Sequence, residues 1–559
     1  MVHRLLWSIV HLLRVPVLCS TSALLMLNAQ SLPDQPKSQE SLPDAPSTVV
    51  PLPEHAIIHT HSRATAAQRV DAAWPREAIQ GVEKISMYQP QLETWKDDEL
   101  HAYAALSLER KGGQKPNYGV VWFTAQTEVD KVNRRVTLDN FQITKVIFPT
   151  LPTKEGEYQK LLQSKLPGKS EVIALDRMES ALAASTTGQE QVKGVPVSND
   201  PPRIIFTTKP ALLVLIDGPP KFRDVGGTAF QKVLNSQAFI LLDTTNGKYY
   251  LNVMDGWLDA PDLKGPWAYT SKVPDDMKEI TKAIQERRQA KAPEGSTPPS
   301  LQQAKKEGKI PTVYVNQGPA ELLATEGPPQ WEPLTNLEYV KNTSANVFKD
   351  PTNSDYYILV AGRWFRSKSL EGGPWEFVYA KQLPEMFTKI PEDSPKAGVL
   401  ASIPGTPPAR EALIANSIPQ TATITRSEAQ LKIEYDGEPQ FKNIEGTELQ
   451  YGVNTATPVI RVADRNYYAV DNAVWFEGPG PTGPWEVATS VPAEIYSIPP
   501  NSSLHYVTYV KVYHSTPEVV YVGYTPGYYG TVVSSTTSTV VYGTGWYYVG
   551  PCGPTLPSG

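Results

Sequence analysis

YYILVAGRWFRSKSLEGGPWEF (Tyr356–Phe377) decides how this chain is read. Six of its 22 residues are aromatic, against 9% for the chain as a whole. A tyrosine pair and a tryptophan flank Ala361-Gly362, residue types that accept the positive φ of a tight turn, so the stretch reads as a β-hairpin. The pattern returns at KYYLNVMDGW (248–257), with Asp255-Gly256 as the turn, and at NYYAVDNAVW (466–475), with Asp471-Asn472. In every copy the tryptophan stands seven residues beyond the second tyrosine.

Working outward, the flanks repeat as well. DGPPKF, EGPPQW and DGEPQF begin at Asp217, Glu326 and Asp436, spaced 109 and 110 residues apart. Downstream come GPW triplets ending in Trp267, Trp375 and Trp485, then Val273-Pro274, Leu383-Pro384 and Val491-Pro492, then Thr297-Pro298, Thr406-Pro407 and Thr516-Pro517. A period of this length exceeds the roughly 20 to 50 residues of a solenoid repeat and suits a small separate domain. The reading is therefore three tandem copies, at 202–310, 311–419 and 420–518. After the TP landmark the first two continue in helix-like text, whereas the third runs into an aromatic, glycine-rich tail at 519–559 with strand character and no helical period.

Neighbouring residues on a strand point to opposite faces. Trp257-Leu258, Trp364-Phe365 and Trp475-Phe476 are adjacent pairs, so both faces of each hairpin are apolar. One face suits the unit's own core; the other must meet a second layer or solvent. If it meets solvent, each hairpin offers a flat aromatic platform on which a sugar ring can stack. The candidate ligand-binding residues are then Trp257, Trp267, Trp364, Trp375, Trp475 and Trp485 with Tyr250, Tyr357 and Tyr468. Linked weak sites of this kind gain affinity on a repeating polymer, which makes polysaccharide or cell-envelope glycan the expected partner. If both faces are covered, the rings are core and the units are a scaffold, with the tail available for strand addition to other chains.

No enzyme is expected. Glycoside hydrolysis needs two carboxylates about 5 to 10 Å apart, and the acidic landmark common to the copies is a single residue, Asp217, Glu326 or Asp436, beside a turn glycine. No cofactor or metal is expected either. His55, His59 and His61 cluster without a completing ligand set. With 52 basic and 58 acidic residues the net charge is −6, which provides no basic field for nucleic acid.

The remainder of the chain frames these units. A basic start and the apolar run Val15–Leu27 read as a signal peptide ending at Ala29, too short to span a bilayer, so the protein is expected to be periplasmic, cell-surface or secreted. Cleavage removes Cys19 and leaves Cys552 alone, so no internal disulfide is expected. Residues 30–61 are proline-rich and read as a flexible linker. Residues 62–195 read as an α+β domain, with two long strands within Tyr118–Pro149, a helix placing Tyr158, Leu161, Leu162 and Leu166 on one face, and a second helix capped by Asp176. Trp74, Trp95 and Trp122 are read as core there.

MYQPQLETW (Met87–Trp95), YGVVWFTAQTEVDK (Tyr118–Lys131), RRVTLDNFQITKVIFP (Arg134–Pro149), the YY…W…GPW copies and YHSTPEVVYVGYTPGYYG (Tyr513–Gly530) together resemble exported bacterial proteins of the carbohydrate-binding family V/XII-like group. The resemblance runs from about residue 70 onward and implies an exported, non-enzymatic, glycan-associated protein. The fold expected is thus a β-rich α+β, multidomain chain: an N-terminal α+β domain followed by three tandem homologous β-rich units.

Overall fold

The computed structural model describes residues 75–547, apart from 81–82, 97, 111–115, 166–170, 183–193, 217, 237, 283, 285–299, 436 and 464–465. The signal peptide, the linker with its three histidines, Trp74, Cys19, Cys552, Leu166, Asp217 and Asp436 lie outside the described residues. What is described is β-rich and divided among many separate sheets. Among these residues no helix is long and apolar enough to cross a membrane.

The first sheet has seven strands: β1 (Arg76–Gln80), β2 (Glu83–Met87), β3 (Gln91–Lys96), β4 (Glu99–Arg110), β5 (Asn117–Asp130), β6 (Arg135–Ile147) and β7 (Glu171–Ala174). Period-2 alternation sets its two faces. Leu100, Ala102, Ala104, Leu106 and Leu108 of β4 and Val121 and Phe123 of β5 point to one side. There they meet Tyr158, Leu161 and Leu162 of helix α1 (Glu155–Lys165) and Met178 of a helix at 175–182. Asp176, expected as the cap of that second helix, lies within it and binds Arg134.

Three six-stranded antiparallel sheets follow, at Phe222–Thr270, Trp331–Phe377 and Phe441–Val487, each a meander whose strands neighbour one another in chain order. The hairpins are the fourth and fifth strands of each sheet, with Asn252 opposite Trp257, Leu359 opposite Trp364 and Val470 opposite Trp475. The middle turn is Ala361-Gly362, with φ of 49° and 78°. The outer two slip by one residue from the expected dipeptides. Met254 (φ 53°) and Asp255 close the first, and Asn472 (48°) and Ala473 (60°) close the third. Burial of the strand residues fixes the register, and the turn takes whichever residues remain.

Both faces of every meander are covered. On the tryptophan face lies the unit's own downstream segment: Met277 and Ile280 over Trp257, Phe387 and Leu400 over Trp364, and Ile495 and Val507 over Trp475. On the opposite face lies a layer of strands shared between units. Arg203–Thr207 and Ala211–Leu215 pair in parallel with Ala320–Ala324 and Thr312–Asn316. As a result Val313 and Val315 cover the first meander while Ile204 and Phe206 cover the second. The third is covered by Ile424 together with Val520 and Val522 of the tail. Where small separate domains were expected, the first two meanders share paired strands.

The tail completes the interlocking. Strand Val519–Tyr524 is paired on both edges, with Gln420–Thr425 and with Val510–Ser515. The hairpin Thr531–Val533/Val540–Tyr542 lies against Val195, the Ala361-Gly362 turn and the helix Pro407–Asn416. Arg363, 1% exposed, ties these together. Its guanidinium donates to the carbonyls of Ser198 (3.1 Å), Ala361 (3.1 Å), Tyr542 (2.9 Å) and Gly543 (2.8 Å). The seven-stranded sheet is joined to this body where the Tyr118 N–H donates to Glu411 (2.6 Å) and where Thr421 bonds Gln89.

Candidate functional site

The hairpin tryptophans are sealed. Trp257, Trp364 and Trp475 are 3%, 4% and 0% exposed. Each indole N–H donates into the segment that covers it: to Thr281 Oγ1 at 3.0 Å, to the Ser402 carbonyl at 3.0 Å and to the Val510 carbonyl at 2.9 Å. A buried indole with its donor satisfied is a packing residue. Tyr250 and Tyr357 are buried as well, in edge contacts with Phe230 and Phe387, and Tyr468 is half-buried. Desolvation raises the pKa of all three phenols, with nearby carboxylates reinforcing it.

The GPW tryptophans do a second structural job. In each unit a cis Gly-Pro bond precedes the indole, at Gly265-Pro266, Gly373-Pro374 and Gly483-Pro484, with glycine φ of 100°, 70° and 91°. The indole folds back over that glycine, so a Cβ there would sit 3.1, 3.0 or 2.8 Å from the ring's Cδ1. Both the backbone angle and the lack of a side chain are therefore required. Trp375 is buried, and Trp267 and Trp485 are half-buried. The structure thus divides the nine candidate residues between the two faces of three meanders, each hairpin tryptophan and its tyrosine packing on one face and the GPW tryptophan on the other, not on one surface.

An aromatic surface does occur where the sequence reading placed core. On the seven-stranded sheet, the face away from α1 carries Gln91, Tyr103, Trp122 and Lys145 in cross-strand register on β3, β4, β5 and β6. Tyr103 and Trp122 are half-buried with ring centroids 6.3 Å apart and tilted by 35°. Glu93 accepts from the Trp122 indole at 3.2 Å, Gln91 accepts from the Tyr103 hydroxyl at 2.6 Å, and the Lys145 ammonium lies 5.0 Å from the Trp122 ring centre. Desolvation, and then Glu93, raise the Tyr103 pKa. The clue was in β5 itself: in VVWFTAQ, Trp122 alternates with Thr124 and Gln126, and Phe123 with Val121 and Ala125.

Two polar features complete the inventory. Asp176, Glu179 and His514 bring ligand atoms within 4.8 Å of one another. Arg134 already binds both carboxylates, and His514 Nε2 of strand Val510–Ser515 lies 3.4 Å from Asp176 and 3.7 Å from Glu179, so the group is a polar knot between that strand and the 175–182 helix. Glu321, on the strand Ala320–Ala324, sits where burial alone pushes its pKa to about 7. No family model, curated protein sequence or solved structure matches the chain.

Proposed function

We infer that this is a non-enzymatic, exported scaffold protein of the cell envelope, built from an α+β domain, three tandem copies of one unit and a tail that locks them. The observation that carries this reading is the sealing of all three hairpin indoles, each bonded to its own unit's downstream segment. Tandem duplication is supported by the common strand order of the meanders and by the Gly-Pro-Trp turn at the same place in each. Rings that make cores explain why all copies keep them without invoking a ligand. Strand addition through the tail finds little support, because Val519–Tyr524 has partners on both edges. The outermost strands of the meanders are two to four residues long, and such short edges resist pairing with other chains.

The test is to express the chain from residue 30 with Trp364→Ala and measure melting alongside retention on insoluble polysaccharides. A scaffold role expects a large loss of stability with no separate change in retention. Wild-type stability together with lost retention would return the hairpins to glycan binding.

A further inference from the structure

We propose that His505 is an acid-sensitive latch for the tail: with its imidazole neutral it holds 526–547 against the segment that covers Trp475, and on taking up a second proton it lets the tail go. His505 opens the 3-10 turn His505–Tyr509 and is 8% exposed. Its Nδ1 lies 2.7 Å from the Ile498 carbonyl, which can only accept, so Nδ1 carries the proton and Nε2 presents a lone pair. That Nε2 is buried and finds no hydrogen-bond partner among the described residues, and the same holds for Thr544 Oγ1. Both residues line one small pocket between this turn and the tail, walled by Gly527, Gly530 and Gly543 and with room for a water-sized molecule. The imidazole meets the Tyr509 ring edge-on, with centroids 5.6 Å apart at 87°. The backbone at Gly527 rests on that same ring, so closely that no Cβ fits there. Contact therefore runs unbroken from His505 through Tyr509 to the tail. The segment so held includes Tyr542 and Gly543, whose carbonyls Arg363 binds, so the latch also governs the tie to the second meander.

A second proton puts a charge where nothing neutralises it. From Val519 to Gly559 the sequence has no Asp, Glu, Lys, Arg or His, so no side chain of the tail is a counter-ion. The titratable groups lining the pocket are the phenols of Tyr506, Tyr509 and Tyr547, and Tyr528 stands 5.8 Å from Tyr506. Desolvation raises the pKa of Tyr506, Tyr509 and Tyr528, which keeps these phenols neutral. On the neighbouring elements, Glu494 is exposed and Lys511 lies 3.4 Å from the Tyr496 ring centre. Burial holds the His505 pKa below its ordinary 6.5, and the bond to Ile498 opposes that only in part. As pH falls the released imidazole takes its proton before the latched one does. The latch is thus at full strength above pH 6.5, weakens below it, and stops weakening once the latched form is charged as well. The other described histidines respond in the opposite sense. His101 lies 3.3 Å from Glu99 and His514 lies 3.4 Å from Asp176, so a proton on either adds an ion pair.

The latch goes beyond the scaffold reading and does not depend on it, since it concerns how the tail is held and not what the chain binds. Hydrogen exchange of the full chain from residue 30, read by mass spectrometry at pH 7.5 and pH 5 and corrected for the intrinsic pH dependence of exchange, tests it. Protection in 526–547 should fall about tenfold or more at pH 5, as leaving a buried polar group unsatisfied does, while the seven-stranded sheet keeps its protection. His505→Asn, whose amide still donates to the Ile498 carbonyl but cannot take up a proton, should abolish that difference. Where this variant does not fold, NMR of wild type labelled with 15N-histidine decides: one imidazole should hold the Nδ1–H tautomer and charge below pH 6.5. Unchanged protection of 526–547 at pH 5, an equal loss along the whole chain, the same loss in His505→Asn, or a His505 that charges at or above pH 6.5 would each overturn the assignment.

Discussion

Replacing Glu321 with leucine should make the protein more stable, and the reason lies in what stands at the corresponding landmark positions. Five residues before the turn carboxylates Asp217, Glu326 and Asp436 stand Leu212, Glu321 and Leu431. Leu212 and Leu431 pack in the clusters that hold Trp267 and Trp485. Glu321 shares its strand face with Leu323 and pairs with Ile204, both part of the cluster around Trp375. It is a carboxyl in an apolar seat. Burial raises its pKa from 4.5 to about 7. At about 1.36 kcal/mol per pKa unit, this is worth at most about 3 kcal/mol.

The direction follows from proton uptake. Between pH 4.5 and 7 the unfolded chain has released this proton while the folded chain still holds it. The contribution is therefore complete below pH 4.5, falls as pH rises through 7 and stays lost above. Denaturant unfolding of wild type and Glu321→Leu at pH 4.5 and pH 8 measures it. The variant should gain up to about 3 kcal/mol over wild type on going from the lower to the higher pH. A difference that does not change with pH, or a variant less stable at pH 8, would refute the placement of this carboxyl.

Other perturbations test the cores and the lock. Trp364→Ala should cost about 3 to 5 kcal/mol, because it empties a sealed site and orphans the Ser402 carbonyl, as read by denaturant midpoint. Gly483→Ala should destabilise by about 1 to 3 kcal/mol, since the residue has φ 91° and its Cβ would press on Trp485; Gly480→Ala, whose Cβ approaches no atom closer than 3.7 Å, is the control. Arg363→Ala leaves the carbonyls of Ser198, Tyr542 and Gly543 without this donor. It should cost about 3 kcal/mol or more and raise hydrogen exchange first in 531–545.

The sequence disclosed periodicity well and layering poorly. YY, W and GPW could be read as hairpin and turn because their chemistry is local: positive φ, alternation and a glycine with no room for a side chain. The adjacent pair Trp364-Phe365 showed that two faces were apolar, and from there the sequence offered solvent or a second layer without deciding. The deciding layer is completed from elsewhere in the chain, through Ile204, Phe206, Val313 and Val520, more than a hundred residues from some of the rings they cover. No local pattern encodes that exchange. Trp122 was misassigned for the converse reason: tryptophan identity was weighed above the alternation of VVWFTAQ, although alternation sets which face a strand residue takes. Arg363 gave no signal at all, since the carbonyls it binds at 198, 542 and 543 converge only in the folded chain.

The central claim is that the repeated indoles are interior. Graded oxidation of native protein with N-bromosuccinimide, read residue by residue by peptide mass spectrometry, tests it directly. Among the described tryptophans, Trp546, 44% exposed, should react first and the half-buried Trp95, Trp122, Trp267, Trp331 and Trp485 after it, while Trp257, Trp364 and Trp475 stay unmodified until the protein unfolds. Oxidation of those three at the rate of Trp546 in folded protein would contradict it.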